Sequence, residues 1–137
     1  MGGGLNSGIR STKIALHAEF KGALGVVLNK SVSNKLIKEL KQKIDIPVTI
    51  TVVSERDDIA GRIAAGVDIF NVSGGENTVQ IIERIRDVSN DVAIIATGGK
   101  TDETIAEVID AGANAVSYTP PSTGSLFKEI MQKYRSE

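Results

Sequence analysis

Val48–Gly75 reads VTITVVSERDDIAGRIAAGVDIFNVSGG, and Val92–Pro121 reads VAIIATGGKTDETIAEVIDAGANAVSYTPP. The two stretches are one pattern written twice. Each opens with an apolar run that ends in a polar turn and continues into a helical segment with Ile-Ala near its start (Ile59-Ala60, Ile105-Ala106). Each then passes through AG[VA][DN] (Ala65–Asp68, Ala111–Asn114) into a second apolar run. The unit is βαβ. A partial third copy, KIALHAEFKGALGVVLNKS at Lys13–Ser31, matches the second half of the unit, so the repetition runs along nearly the whole chain.

Between the copies the same logic holds. Val32, Leu36, Leu40 and Ile44 recur every four residues and predict an amphipathic helix, with Ser31 as its N-cap and Pro47 stopping it ahead of the next strand. Further helices are expected at about 9–21, 56–65, 77–89, 102–111 and 124–135. The strands between them are GVVLN, VTITVVS, DIFNVS, VAIIAT and AVSYT. Most are continuous apolar runs, each separated from the next by a helix, which indicates parallel strands covered by helices. The order is α(βα)5, with no internal linker, so residues 1–137 are expected to form a single α/β domain.

Five parallel strands admit two arrangements. One is an open, doubly wound sheet of flavodoxin type; the other is part of a closed barrel, which needs eight strands and about 250 residues. A near-equivalent βαβ repeat fits the barrel better, because successive barrel units are geometrically alike whereas an open sheet reverses direction at a switch point. The chain therefore reads as the last five units of a barrel-type sequence, a partial barrel sheet whose opening units are expected before Met1.

Composition narrows the function classes. The formal charge is −1, acids and bases are interspersed, and there are only three Phe, two Tyr and no Trp. Nothing here supplies the basic stripe or stacking platform that nucleic acid requires. There is no cysteine, which removes disulfides, thiolate metal sites and thiol nucleophiles together. No signal-peptide core and no membrane-length apolar run is present, and a cytoplasmic protein is expected. The single histidine, His17, falls on the first helix, remote from the loops discussed next, so neither a hydrolytic triad nor a metal cluster is expected.

In either arrangement chemistry belongs at the carboxyl ends of the strands. The loops there are far more polar than the opposite ones. The sharpest is ATGGKTDET: a Gly pair after a strand lets backbone N–H groups approach a ligand, and the following helix start favours an anion. Gly98, Gly99 and Lys100 are thus candidate phosphate contacts, and TPPSTGS adds Gly124 and Ser125. Asn71, Ser73 and Gly74, in a second Gly-pair turn, are candidate substrate contacts, although a tight turn capped by Asn77 accounts for the same residues. Glu55 and Lys30 are the candidate acid–base residues, set against the plainer reading of solvated loops.

IIATGGKTDETIAEVIDAGANAV resembles the strand, Gly-rich turn, helix and GA-led strand of the last two units of phosphate-binding (βα)8-barrel enzymes. These include indoleglycerol-phosphate synthase, N-acylglucosamine-6-phosphate epimerase and the FMN-dependent barrel oxidoreductases. The resemblance covers about thirty residues closely. It implies Gly98 and Gly99 as phosphate-contacting backbone and supports a small phosphorylated ligand with isomerase-, lyase- or aldolase-like chemistry; FMN is the ligand to test in the flavodoxin-type arrangement. One departure stands out. Tyr118-Thr119-Pro120-Pro121 replaces the glycine that these families place after the last strand, leaving Gly124 and Ser125 to substitute for it. The alternatives are a non-catalytic flavodoxin-like binding module and a barrel fragment without activity of its own. An incomplete barrel exposes strand edges, so a homo-oligomer is expected.

Overall fold

In the computed structural model, which describes residues 9–29, 32–97, 101–118 and 123–136, every expected strand and helix is present. The order is α1 (Ile9–Phe20), β1 (Val26–Leu28), α2 (Asn34–Lys43), β2 (Val48–Val52), α3 (Ile59–Ala65), β3 (Ile69–Val72), a 3-10 turn (Gly75–Asn77), α4 (Thr78–Val88), β4 (Ala93–Thr97), α5 (Asp102–Asp110), β5 (Ala115–Ser117) and α6 (Thr123–Ser136).

Three helix starts differ from the sequence reading, each for a local reason. α2 begins later because Ser33, not Ser31, is its N-cap: the Ser33 hydroxyl accepts from the Leu36 N–H at 3.2 Å. α3 begins at Ile59 because Asp58 caps it, accepting from the Gly61 N–H at 3.0 Å. The residues ahead of it are held in a turn in which the Val53 N–H reaches the Asp57 carboxylate. Asn77 makes no side-chain cap to α4. Thr78 closes that turn instead, its Oγ1 accepting from the Gly74 N–H at 3.1 Å and donating to the Gly75 carbonyl at 2.8 Å.

The five strands form one parallel sheet in the order β1-β2-β3-β4-β5. That order excludes the flavodoxin alternative, in which the chain reverses at a switch point. Crossovers between parallel strands are right-handed as a rule, and in this order they all move the same way, which stacks the helices on one face. Burial agrees. Val26, Leu28, Val48, Ile50, Val52, Phe70, Val72, Ile94 and Ala96 alternate along the strands and form the core with Ile37, Leu40, Ile81, Ile82 and Ile85 from α2 and α4. The intervening residues, Val27, Thr51, Ile69, Asn71, Ala93, Ile95, Thr97, Ala115 and Ser117, face the uncovered side and stay partly or fully exposed, while Thr49 in the same alternation is buried. The sheet is an arc of a barrel, with its inner face open.

At the amino ends of the strands, the repeated AG[VA][DN] motif is a structural joint. Gly66 and Gly112 take positive φ, 105° and 119°, where L-residues are strained. Two residues on, Asp68 accepts the Val48 N–H at 2.9 Å and Asn114 accepts the Ile94 N–H at 2.9 Å, each capping the neighbouring strand. A basic residue completes each joint: Lys41 pairs with Asp68 at 2.7 Å, and Arg86 donates to Asn114 at 2.9 Å. A Cβ on Gly112 would sit 2.8 Å from Arg86 Cγ. Gly112→Ala is therefore expected to cost about 2 kcal/mol, combining the left-handed backbone penalty with displacement of Arg86. An unchanged urea midpoint would contradict this.

Candidate functional site

The alternation of β2, β3 and β4 decides which side chains reach the open face at the carboxyl ends of the strands. Register places Thr51 beside Asn71, and Asn71 beside Ile95, with Thr97 two residues further along β4. Thr97 Oγ1 donates to Asn71 Oδ1 at 2.6 Å. The amide nitrogen of Asn71 carries two more donors, and the Thr97 hydroxyl oxygen still accepts. Ser117 pairs with Thr97 in register at the edge. A polar row thus lines the upper inner face, while Val27, Ile69, Ala93 and Ile95 make the rest of that face mainly apolar.

Beside this row, a cavity of about 220 Å³ opens between the β3–α4 turn and α5, lined in part by Gly75, Glu76, Thr97, Thr104 and Glu107. Gly75 has φ +60° with nothing within 4 Å of a Cβ position, so its backbone presents a bare, open surface. Gly74 serves the core: a Cβ there would come within 2.4 Å of Ile81 Cδ1, and its N–H is taken by Thr78. The Ser73 N–H donates to the Val52 carbonyl at 2.9 Å, which leaves its side chain as the group for a ligand.

On the far side of the site, Arg62 donates to the Val32 carbonyl and to Asn34 Oδ1, while Asn34 Nδ2 reaches Asp58 Oδ2. This network ties the start of α2, from Val32 to Asn34, to the start of α3. Glu55 and Arg56 project from the β2–α3 turn and are exposed. Gly124 lies exposed in the first turn of α6. Lys30, Gly98, Gly99 and Lys100, and the side chain of Ser125, lie outside the described residues.

The structure brings Asn71 next to Thr97, and it places Glu55 on a separate turn. Thr51, Thr97 and the Arg62 network were not singled out from sequence. For the threonines a signal existed, since VTITV alternates and puts Thr49 and Thr51 opposite the core-facing Val48, Ile50 and Val52. The first turn of α5 is already self-satisfied: Thr101 and Thr104 form a reciprocal capping box, and Asp102 and Glu103 complement the helix dipole.

No family model matches the chain, and no curated protein matches it. Solved structures do. A mandelate oxidase variant with a monooxide FMN adduct superposes with a TM-score of 0.68 at 16% identity, over 80% of this chain and 44% of that one. The native KDPGal structure gives 0.64 at 20% identity, over 86% and 54%. A cube-shaped, highly porous cage designed by fusing symmetric oligomeric domains gives 0.65 at 18% identity, over 98% and 56%. This chain spans about half the length of the structures it matches. At such identities the likeness concerns the fold. The chain is an α/β protein with five parallel strands in a single sheet, arranged as in part of a TIM-type barrel.

Proposed function

We propose that the chain binds a small phosphorylated metabolite or cofactor at the carboxyl end of its sheet. The observation that carries this reading is the Thr51, Asn71 and Thr97 row on the open inner face; Thr97 immediately precedes Gly98–Lys100 in the sequence. Backbone amides of Gly98 and Gly99, with the Lys100 ammonium, hold the phosphate; Gly124 and Ser125 close the other side. Because α5 supplies its own carboxylates, the phosphate takes its positive complement from Lys100 and loop amides, not from the helix dipole. Asn71 and Ser73 hydrogen-bond the rest of the ligand, and Gly74, whose own N–H is taken by Thr78, holds their turn close against α4. Glu55 and Lys30 are the proton-transfer groups, in chemistry of the isomerase, lyase or aldolase type. The protein acts in the cytoplasm as a homo-oligomer; no helix among the described residues is long and apolar enough to cross a membrane.

FMN is the first cofactor to test, since a matched mandelate oxidase carries an FMN adduct. The residues fit the polar part of such a group: Asn71 and Thr97 offer donors and acceptors for ribityl hydroxyls, and Gly98–Lys100 suits its phosphate. When bound, FMN would supply redox chemistry, while this chain's residues orient it.

An amide-resolved NMR titration with inorganic phosphate, then FMN, tests the site. Saturable shifts at Gly98, Gly99 and Gly124 together are expected, with Asn71 responding to FMN alone. A folded sample in which none of these amides moves would remove the phosphate reading.

A further inference from the structure

α6 carries Phe127, Ile130, Met131 and Tyr134 at the spacing of a single helical face, the pattern of a helix that packs against something. Among the described residues nothing covers that face: Phe127 is 64% exposed and Tyr134 75%. At the opposite flank of the sheet, Leu16 on α1 is partly exposed, Phe20 is 85% exposed and Leu24 92%. Leu24 stands two residues after Gly22, where the other joints place Asp68 and Asn114 after their glycines. Those two side chains turn inward to cap a neighbouring strand, whereas among the described residues no strand lies beyond β1 to be capped. An exposed leucine therefore takes the place of a strand-capping polar side chain at this edge.

We infer that these two flanks cover one another between two copies of this chain, the α6 stripe of each packing on the α1 flank of its partner. This rests on the homo-oligomer reading above and specifies its surfaces. The area supports it. Taking about 200 Å² for an aromatic side chain and somewhat less for an aliphatic one, the exposed parts of the two flanks come to roughly 800 Å² per copy. A standard interface buries about 800 Å² per partner. Reciprocal use of unlike flanks covers both at once and closes at two copies, because each contact is repeated by the two-fold. It also brings the two open inner faces toward each other, so the polar rows of Thr51, Asn71 and Thr97 become enclosed. Both flanks are net basic, α1 through Arg10 and Lys13 against Glu19, with Lys21 just beyond its end, and α6 through Lys128, Lys133 and Arg135 against Glu129. The contact is apolar at its centre and repulsive at its rim, so added salt tightens it.

Sedimentation equilibrium on the wild type, Phe20→Asp, Phe127→Asp and an equimolar mixture of the two variants tests the arrangement. The wild type is expected to be dimeric at about 50 μM, with tighter association as salt rises through the range where screening shortens to a few ångströms. Each variant is expected to be monomeric with an unchanged far-UV circular dichroism spectrum, since both side chains are exposed. The mixture is expected to associate more strongly than either variant, because one of its two contacts then joins two intact flanks. A monomeric wild type would overturn this inference and the homo-oligomer reading together. A dimer indifferent to Phe20→Asp, or a mixture no better than its components, would overturn this inference alone.

Discussion

Replacing Arg86 with alanine is expected to destabilise the protein by about 3 kcal/mol, a large share of the stability of an ordinary domain. The guanidinium is half-buried and donates to the carbonyls of Gly112, Ser89, Asn90 and Val92 and to Asn114 Oδ1. It thereby ties the end of α4, the entry to β4 and the entry to β5 into one joint. Its removal leaves several part-buried acceptors without their donor and takes away the stem against which Gly112 packs. Arg86→Lys is expected to recover only part of the loss, because one ammonium cannot span the positions that a planar fork reaches. Urea unfolding of the three proteins measures this, and a loss below about 0.5 kcal/mol for Arg86→Ala would refute the joint as a stabilising element.

The second large effect is expected in the sheet. Phe70 lies on β3, opposite Ile50 on one side and Ile94 on the other, on the face the helices cover, and it is fully buried. Phe70→Ala is expected to cost about 3–5 kcal/mol, because the lost transfer free energy is joined by a cavity that close-packed β-branched neighbours cannot collapse into. Phe20→Ala, which removes the same ring from a site 85% exposed, is expected to leave the unfolding of the isolated chain nearly unchanged. Equal losses from the two substitutions would contradict the assignment of the core to the helix-covered face.

The elements were legible because the two long copies state the βαβ unit redundantly, and the strands' apolar runs admit little else. Boundaries were less so. Ser31, Ser33, Asn77 and Thr78 are all competent helix-start residues by type, and only the path of the backbone selects Ser33 and Thr78. The direction of the sheet was a weaker inference, since α(βα)5 can be wound either way and strand order is a matter of long-range pairing. In the site, Asn71 was visible because it interrupts an apolar strand just before a Gly pair. Its partner Thr97 was harder to single out, because the contact joins residues on different strands. The AG[VA][DN] motif was recognised as a turn, but its tie to Lys41 and Arg86, on helices more than twenty residues earlier, could not be seen.

Consecutive pairing of the strands also bears on how the chain reaches its native state. The separation between paired residues is only 20 positions for Ile50 and Phe70 and 24 for Phe70 and Ile94. No strand has to wait for a distant segment before it can dock. Loop-closure entropy is therefore lost in small, similar steps, and contact order stays low for a parallel sheet. Each βα unit, once made, presents the template for the next, as in arrays of repeats. Such a chain can begin to consolidate while its carboxyl half is still being synthesised, and the sheet grows outward from whichever neighbouring strands meet first.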